Sequence, residues 1–167
     1  MLVTSQEANK ILKKLNEDIG FEKNQERRNM EFTAATIEDK EALRPQYNFT
    51  ETQNRIAMLE EKIRKIKHAI NIFNCYTKLE IQGFDLTIDQ ALVFLPQLTA
   101  KKRKLYAMRD VPDHERQSVS SGIIDYSYRN YKKEEVVAEY EAVDTILTAV
   151  QNELNRINTT VTFEILD

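Results

Sequence analysis

Residues 49–73 read FTETQNRIAMLEEKIRKIKHAINIF, and this stretch decides the fold class. Its mostly apolar residues recur at alternating spacings of three and four, the heptad pattern of a helix that packs against other helices. The heptad positions are Phe49, Thr52, Ile56, Leu59, Ile63, Ile66, Ile70 and Phe73. Because the spacing never slips, we predict one helix from Asn48 to Asn74, about 40 Å long at about 1.5 Å per residue.

A second heptad pattern predicts a long helix near the C-terminus, over about Lys132 to Ile157. Its positions are Val136, Tyr140, Val143, Leu147, Val150, Leu154 and Ile157. A strict heptad repeat keeps facing a partner helix only if the helices supercoil. Two such patterns in one chain are typical of a helical bundle or coiled coil.

Two capping boxes mark the beginnings of two further helices. Thr4 and Glu7 precede an apolar stripe that runs to Ile19, and Thr87 and Gln90 precede another. In each box the Thr hydroxyl accepts a backbone N–H, and the Glu or Gln side chain reaches back to the N-cap. We therefore predict helices that begin at these threonines.

Two residues limit these helices. Beyond Gly20 the first apolar stripe thins, so we expect residues 22–28 to be an exposed helical extension or a mobile segment. Pro96 lies within the stripe of the third helix and removes a backbone donor there, which predicts a kink or a break.

Three short segments alternate between apolar and polar residues, as strands with one buried face do. They are residues 78–82, 124–128 and 161–165, whereas residues 33–47 and 111–122 are expected to be loops. The strands that follow the second and fourth helices should emerge at the same end of an up-down bundle and pair. The predicted fold is mainly α, an antiparallel helical bundle or coiled coil with a small accessory β-sheet, in a single domain over residues 1–167.

Composition excludes several classes of chemistry. The three glycines stand far apart, at Gly20, Gly83 and Gly122, which excludes glycine-rich dinucleotide and phosphate loops. One cysteine and two histidines cannot supply a zinc cluster or the paired Glu-x-x-His of di-iron bundles. We therefore predict a protein that is not an enzyme, with no catalytic residues and no cofactor or metal site.

Charge and location complete this exclusion. The formal net charge of −3 gives no general attraction to nucleic acid or anionic membrane. The sequence contains neither a signal-peptide pattern nor an apolar run of about 20 residues. Cys75 is the single cysteine and needs no oxidising compartment. We expect a cytoplasmic protein.

One basic run and one aromatic segment each have two interpretations. The basic run could contact an anion such as phosphate, but cations near a helix C-terminus also interact favourably with the helix dipole. Tyr126 and Tyr128 could stack bases beside Arg129, or they could pack a small sheet against helix ends. The dipole and the packing interpretations are favoured. The residues of the basic run are Lys101, Lys102, Arg103 and Lys104.

Incomplete coverage of the heptad helices predicts self-association. Because the first helix loses its stripe after Gly20, positions on the long helices lack a partner in the same chain, and such apolar surface usually marks an interface. Short strands add unpaired edges. We expect a homo-oligomer, a C2 dimer by default, or another protein partner rather than nucleic acid or a membrane. The predicted contact residues are Tyr126, Tyr128, Val161, Phe163 and Ile165.

Four groups of residues also carry a family resemblance. They are ETQ at 51–53 with LEEKI at 59–63 and IN at 70–71, LT at 86–87 with AL at 91–92 and the basic run, IDYSY at 124–128, and LNRIN at 154–158. Together they resemble the septicolysin-like family of small, mostly helical bacterial proteins. The resemblance implies a helical fold, implies membrane activity through the family's name, and brings no catalytic residues.

These observations support three hypotheses of function. The leading one is a non-enzymatic, self-associating helical protein with a structural or interaction role. The first alternative is a membrane-active oligomer, which the resemblance implies. The second is a nucleic-acid-associated accessory protein that uses the basic run and the tyrosine strand. Phosphate binding would weaken steeply with ionic strength, whereas apolar insertion into a bilayer would not.

Overall fold

The computed structural model describes residues 1–117 and 124–165, and it confirms that the fold is mainly α. The predicted loop residues 118–122 lie outside the described part. The elements in chain order are β1 (Leu2–Thr4), α1 (Ser5–Asn29), α2 (Lys40–Leu43), α3 (Phe49–Tyr76), α4 (Ile88–Arg109), β2 (His114–Gln117), β3 (Asp125–Tyr128), α5 (Lys133–Thr160) and β4 (Thr162–Glu164).

The chain forms two compact units. The terminal unit consists of Met1–Asn74 and Ile157–Asp167, and the central unit consists of Cys75–Arg156. Helices α3 and α5 each contribute residues to both units. The single domain over residues 1–167 therefore stays a prediction.

Helix α1 begins where its capping box predicts. The backbone N–H of Glu7 donates to the Thr4 hydroxyl at 3.3 Å, and the backbone N–H of Thr4 donates to the Glu7 carboxylate at 2.8 Å. The Thr4 backbone N–H and hydroxyl both donate to the Glu7 carboxylate, and these two bonds hold the pKa of Glu7 below its ordinary value. The helix continues past Gly20 to Asn29, which confirms the helical extension.

Helices α1 and α3 run antiparallel, side by side, in the terminal unit. The Gln53 amide donates to the Glu26 carboxylate at 2.6 Å, and Lys23 pairs with Glu60 at 3.6 Å. Lys23 comes before Glu26 in α1, but its partner comes after the partner of Glu26 in α3, as antiparallel helices require. The polar second half of α1 is held to α3 by side-chain hydrogen bonds and ion pairs rather than by an apolar stripe.

The core of the terminal unit joins α1 and α3 to the termini of the chain. Its buried members are Val3, Ala8, Ile66 and Ile165, and partly buried residues packed on them are Ile11, Leu12, Leu15, Ala69, Ile70 and Phe163. Thr52, Ile56, Ile66 and Phe73 of the α3 heptad are buried, and Leu59, Ile63 and Ile70 are half-buried. Phe49, the first heptad position, is 63% exposed.

The strand after α5 pairs with the beginning of the chain. Strand β4 runs antiparallel to β1, with Phe163 opposite Val3. The expected pairing of β4 with a strand after α3 is therefore wrong. Residues 78–82 form only the isolated bridges Lys78 to Thr87 and Ile81 to Phe84, around a turn in which Gly83 has a φ of 83°. This left-handed backbone suits glycine because it has no Cβ.

Helix α4 begins at its predicted capping box and passes through Pro96 without a break. Thr87 and Gln90 exchange both hydrogen bonds of the box. Pro96 removes one backbone donor, yet the helix stays continuous from Ile88 to Arg109. Ala91 and Leu98 are buried on either side of the proline, and we attribute the continuity to this packing. A break at Pro96 is therefore wrong, and a kink there stays a prediction.

Helices α4 and α5 run antiparallel in the central unit. Lys102 pairs with Asp144, and one turn further along α4 the Tyr106 ring lies 6.3 Å from the ring of Tyr140. The α5 heptad is buried at every position except Tyr140, which is half-buried. The buried positions are Val136, Val143, Leu147, Val150, Leu154 and Ile157. The second heptad prediction is confirmed.

Strands β2 and β3 form an antiparallel hairpin. His114 lies opposite Tyr128, and Arg116 lies opposite Tyr126. The predicted loop at residues 111–122 is wrong for His114–Gln117, which form β2. All eight strand residues are exposed, so the buried face expected for segment 124–128 is also wrong.

Within residues 1–117 and 124–165, no helix is both long enough and apolar enough to cross a membrane.

Val150→Asp should strongly destabilise the protein. Val150 has no exposed surface, so the substitution buries an unpaired carboxylate and should cost about 3 kcal/mol or more of unfolding free energy. The exposed neighbour Gln151 provides the control. Gln151→Asp should change the free energy of unfolding, measured by urea denaturation, by less than about 0.5 kcal/mol. Equal effects of the two substitutions would contradict burial of the heptad.

Glu7→Gln should reduce the acid sensitivity of the fold. Because the folded-state pKa of Glu7 is lowered, its ionised form adds stability at neutral pH, and this contribution is lost as the pH falls through that pKa. Gln keeps the acceptor, as Gln90 does in α4, but cannot titrate. The loss of unfolding free energy between about pH 7 and pH 3 should be smaller in the variant than in the original chain. An equal loss would contradict the role of Glu7.

Candidate interaction surface

An exposed aromatic cluster lies on the hairpin of β2 and β3, which we call the aromatic hairpin. The His114 ring lies 5.9 Å from the Tyr126 ring and 6.3 Å from the Tyr128 ring, and the two tyrosine rings are 6.3 Å apart. Tyr126 is 46% exposed and Tyr128 is 72% exposed. Three aromatic rings thus contact one another on a face that is open to water.

Alternation along the strands divides the hairpin into two unlike faces. Because directly opposed residues share a face, Arg116 joins the aromatic face opposite Tyr126. The other face carries Glu115, Gln117, Asp125 and Ser127, and the Gln117 amide donates to the Ser127 hydroxyl at 2.9 Å. One face is aromatic and cationic, and the other is polar.

The base of the hairpin is anchored through Arg129. Its guanidinium pairs with Asp113 and donates to the backbone oxygens of Val111 at 3.3 Å and Tyr131 at 3.2 Å. The Tyr131 hydroxyl donates to the backbone oxygen of Met108, in the last turn of α4, at 2.5 Å. These bonds fix the base of the hairpin to the end of α4, whereas its strands are exposed.

The outer edge of β3 has no strand beside it among the described residues. The backbone N–H of Arg129 donates to the backbone oxygen of Asp113 at 3.0 Å. The backbone N–H and C=O groups of Arg129 therefore point toward β2. Since backbone groups alternate in direction along an antiparallel strand, Tyr126 and Tyr128 point theirs away from β2. Their N–H and C=O groups form the free edge.

Two members of the basic run are paired with carboxylates of α5. Lys101 pairs with Glu139 and Lys102 with Asp144, and the hydrogen bond to Asp144 raises the pKa of Lys102. Arg103 and Lys104 are exposed. The run lies before the last turn of α4, which ends at Arg109. Anion contact by Lys101, Lys102, Arg103 and Lys104 stays a prediction, and ion pairing now accounts for the first two.

The other predicted contact residues have roles inside the terminal unit. The Phe163 ring stacks on Phe73 with 4.6 Å between ring centroids. Ile165 is buried, and its backbone oxygen accepts from the Met1 amino group at 2.8 Å. Val161 is half-buried. An interface role for these three residues stays a prediction. The structure places Phe163 and Ile165 in or against the core of the terminal unit.

His114 is the member of the cluster that sequence reasoning missed. Residues 114–117 read HERQ and lack the apolar alternation that predicts a strand. The signal that could have found them is the neighbouring tyrosine strand, because a strand with an exposed edge needs a pairing partner nearby.

A polar cleft of about 350 Å³ lies between α1 and the beginning of α3. The Tyr47 hydroxyl donates to Glu26 at 2.8 Å, which raises the pKa of Tyr47, and Arg55 pairs with Glu22 at 3.1 Å. These carboxylates are engaged by neighbouring donors. In the part of the chain that the structure describes, no group of three or more His, Cys, Asp or Glu side chains is placed to hold a metal ion.

Comparison with known proteins places the fold and nothing more. No family model and no curated protein match the chain. The structure is similar to the crystal structure of a functionally unknown conserved protein from Corynebacterium diphtheriae, with a TM-score of 0.56 and 14% sequence identity. The match covers 98% of this chain and 100% of that chain. At this identity the similarity shows a shared fold.

Phe163→Ala should destabilise the terminal unit rather than alter an interface. The substitution removes the ring stacked on Phe73 and should cost about 2–3 kcal/mol of unfolding free energy. Thr162 is exposed on the same strand, so Thr162→Ala provides the control in urea unfolding. A change in oligomer mass with unchanged stability would instead assign Phe163 to an interface.

Proposed function

We propose that the protein is a non-enzymatic helical protein that self-associates as a C2 dimer and acts in the cytoplasm through protein contacts. The observation that carries this proposal is the aromatic hairpin, which is anchored at its base but exposed on both strands. Monomeric proteins rarely leave clustered aromatic surface open to water. Aromatic residues are instead enriched where proteins associate.

The small size of the hairpin supports the same proposal. An isolated two-stranded hairpin is marginally stable in water, and three or more strands or a packed face are needed for independent stability. The Arg129 and Tyr131 bonds hold only the base of the aromatic hairpin. A partner that covers the exposed aromatic face or extends the sheet would supply the missing contacts.

The electrostatics of the described residues support a structural role. Apart from Tyr47, whose pKa is raised by its hydrogen bond to Glu26, the shifted pKa values belong to capping and ion-pair contacts. Examples are Glu7 with Thr4, Lys102 with Asp144, and Glu153, whose pKa is lowered by Arg156. Ion pairs that join helices or cap their ends shift pKa values without catalysis. Membership of the septicolysin-like family remains a proposal that rests on the four groups of residues quoted above.

Light scattering of the purified chain tests self-association. At tens of micromolar protein, we expect twice the protomer mass of 19.6 kDa, because a C2 dimer is the commonest closed assembly. Scattering measures mass directly, so it is not misled by molecular shape as elution volume is. A protomer mass throughout the concentration series would contradict the proposed function.

A further inference from the structure

We propose that the two copies join by pairing their β3 strands across a twofold axis at Ser127, which makes one four-stranded sheet from two aromatic hairpins. This inference rests on the self-association proposed above and names the surface that carries it. Three observations favour this pairing. They are the free backbone groups of β3, the self-complementarity of its sequence, and the charges of β2, which forms the other edge of the hairpin.

The hydrogen-bonding phase of β3 fits a second copy of the same strand. The free edge offers the backbone groups of Tyr126 and Tyr128. In an antiparallel pair centred on Ser127, each of these residues lies opposite the other in the second copy, so the two exchange both hydrogen bonds. Ser127 then forms a non-hydrogen-bonded pair with itself. Every free backbone group of Tyr126 and Tyr128 is satisfied in this register.

The side chains are self-complementary in the same register. A twofold axis perpendicular to the sheet keeps each face on its own side, so the aromatic faces of the two hairpins become continuous. Tyr126 lies opposite the partner's Tyr128, and aromatic cross-strand pairs stabilise sheets. Asp125 lies opposite the partner's Arg129, which is a pair of unlike charges. Arg129 also keeps its contact with Asp113 within the chain.

Strand β2 is less suited to pair with itself. In a twofold pair of β2 strands, the residue at the axis lies directly opposite its own copy. An axis at Glu115 therefore opposes two carboxylates, and an axis at Arg116 opposes two guanidinium groups. Like charges in opposed positions destabilise a sheet. Segment 125–128 carries no proline or lysine, the residues that commonly protect an edge strand from pairing. The β3 edge is therefore the one open to a second copy.

Disulfide trapping tests the proposed axis. The Cα atoms of a non-hydrogen-bonded antiparallel pair are about 4.5 Å apart, within the range that a disulfide spans. Ser127→Cys in a Cys75→Ser background should therefore form a covalent dimer under mild oxidation. Glu115→Cys in the same background is the matched control, because Glu115 lies on the same face of the neighbouring strand. It should stay largely monomeric on a non-reducing gel.

A second measurement uses the side chains. Tyr126→Ser combined with Tyr128→Ser should weaken the dimer at least about tenfold, as loss of central aromatic contacts does. Tyr76, which is 81% exposed in α3, provides the control, and Tyr76→Ser should leave the dimer unchanged. Circular dichroism should show the helical content of the original chain in every variant, because all these positions are exposed.

The outcomes separate this inference from the proposed function. A dimer that neither crosslinks preferentially through Ser127→Cys nor weakens in the tyrosine variant overturns the β3 pairing and leaves self-association standing. A monomer at all concentrations overturns both. If the original chain binds a fluorescent single-stranded oligonucleotide and the tyrosine variant loses this binding with its dimer mass unchanged, the rings stack bases and the β3 pairing is also overturned.

Discussion

Burial of the two heptad patterns is the constraint on which the rest of the structure depends. Helices α3 and α5 are each 28 residues long, and both contribute to both compact units. Burying apolar surface stabilises a fold by about 25 cal/mol per Å², and α5 buries six of its seven heptad positions. In each unit a shorter helix runs antiparallel to one of these, α1 to α3 and α4 to α5. The strands depend on these helices: β1 and β4 pack against α1 and α3, and the hairpin of β2 and β3 is bonded to the end of α4.

Periodicity and capping signals in the sequence were sufficient to predict the four long helices. The expected loop at residues 33–47 is wrong for Lys40–Leu43, the four-residue helix α2, which is too short to show a periodic pattern. The four long helices begin within one or two residues of their predicted beginnings, because Thr4, Thr87 and the heptads act over one or a few turns. Local signals could not predict β1, since its partner β4 lies about 160 residues away in the chain. They could not predict β2, whose residues are all polar, or the continuity of α4 through Pro96, which we attribute to the burial of Ala91 and Leu98.

The candidate site was predicted only in part for the same reason. Tyr126 and Tyr128 were identified from their alternation, but a buried face was expected where the structure has an exposed one. Alternation reports that the two faces of a strand differ in polarity, and it does not report which face is covered. Phe163 and Ile165 show the reverse case. Their alternation predicts an interface role, which stays a prediction, and the structure places them in or against the core of their own unit.

These findings move the proposed interface away from the heptads. In the sequence, incomplete coverage of the heptad positions by the first helix predicts self-association. In the structure, however, α1 continues to Asn29, and Glu26 and Lys23 in its polar half contact α3. The heptad of α5 is buried within the chain. Strand β3 is exposed, and the proposed pairing with a second copy rests on its edge groups, rings and charges. The proposed self-association therefore depends on the aromatic hairpin, which the Tyr131 hydroxyl anchors to the last turn of α4.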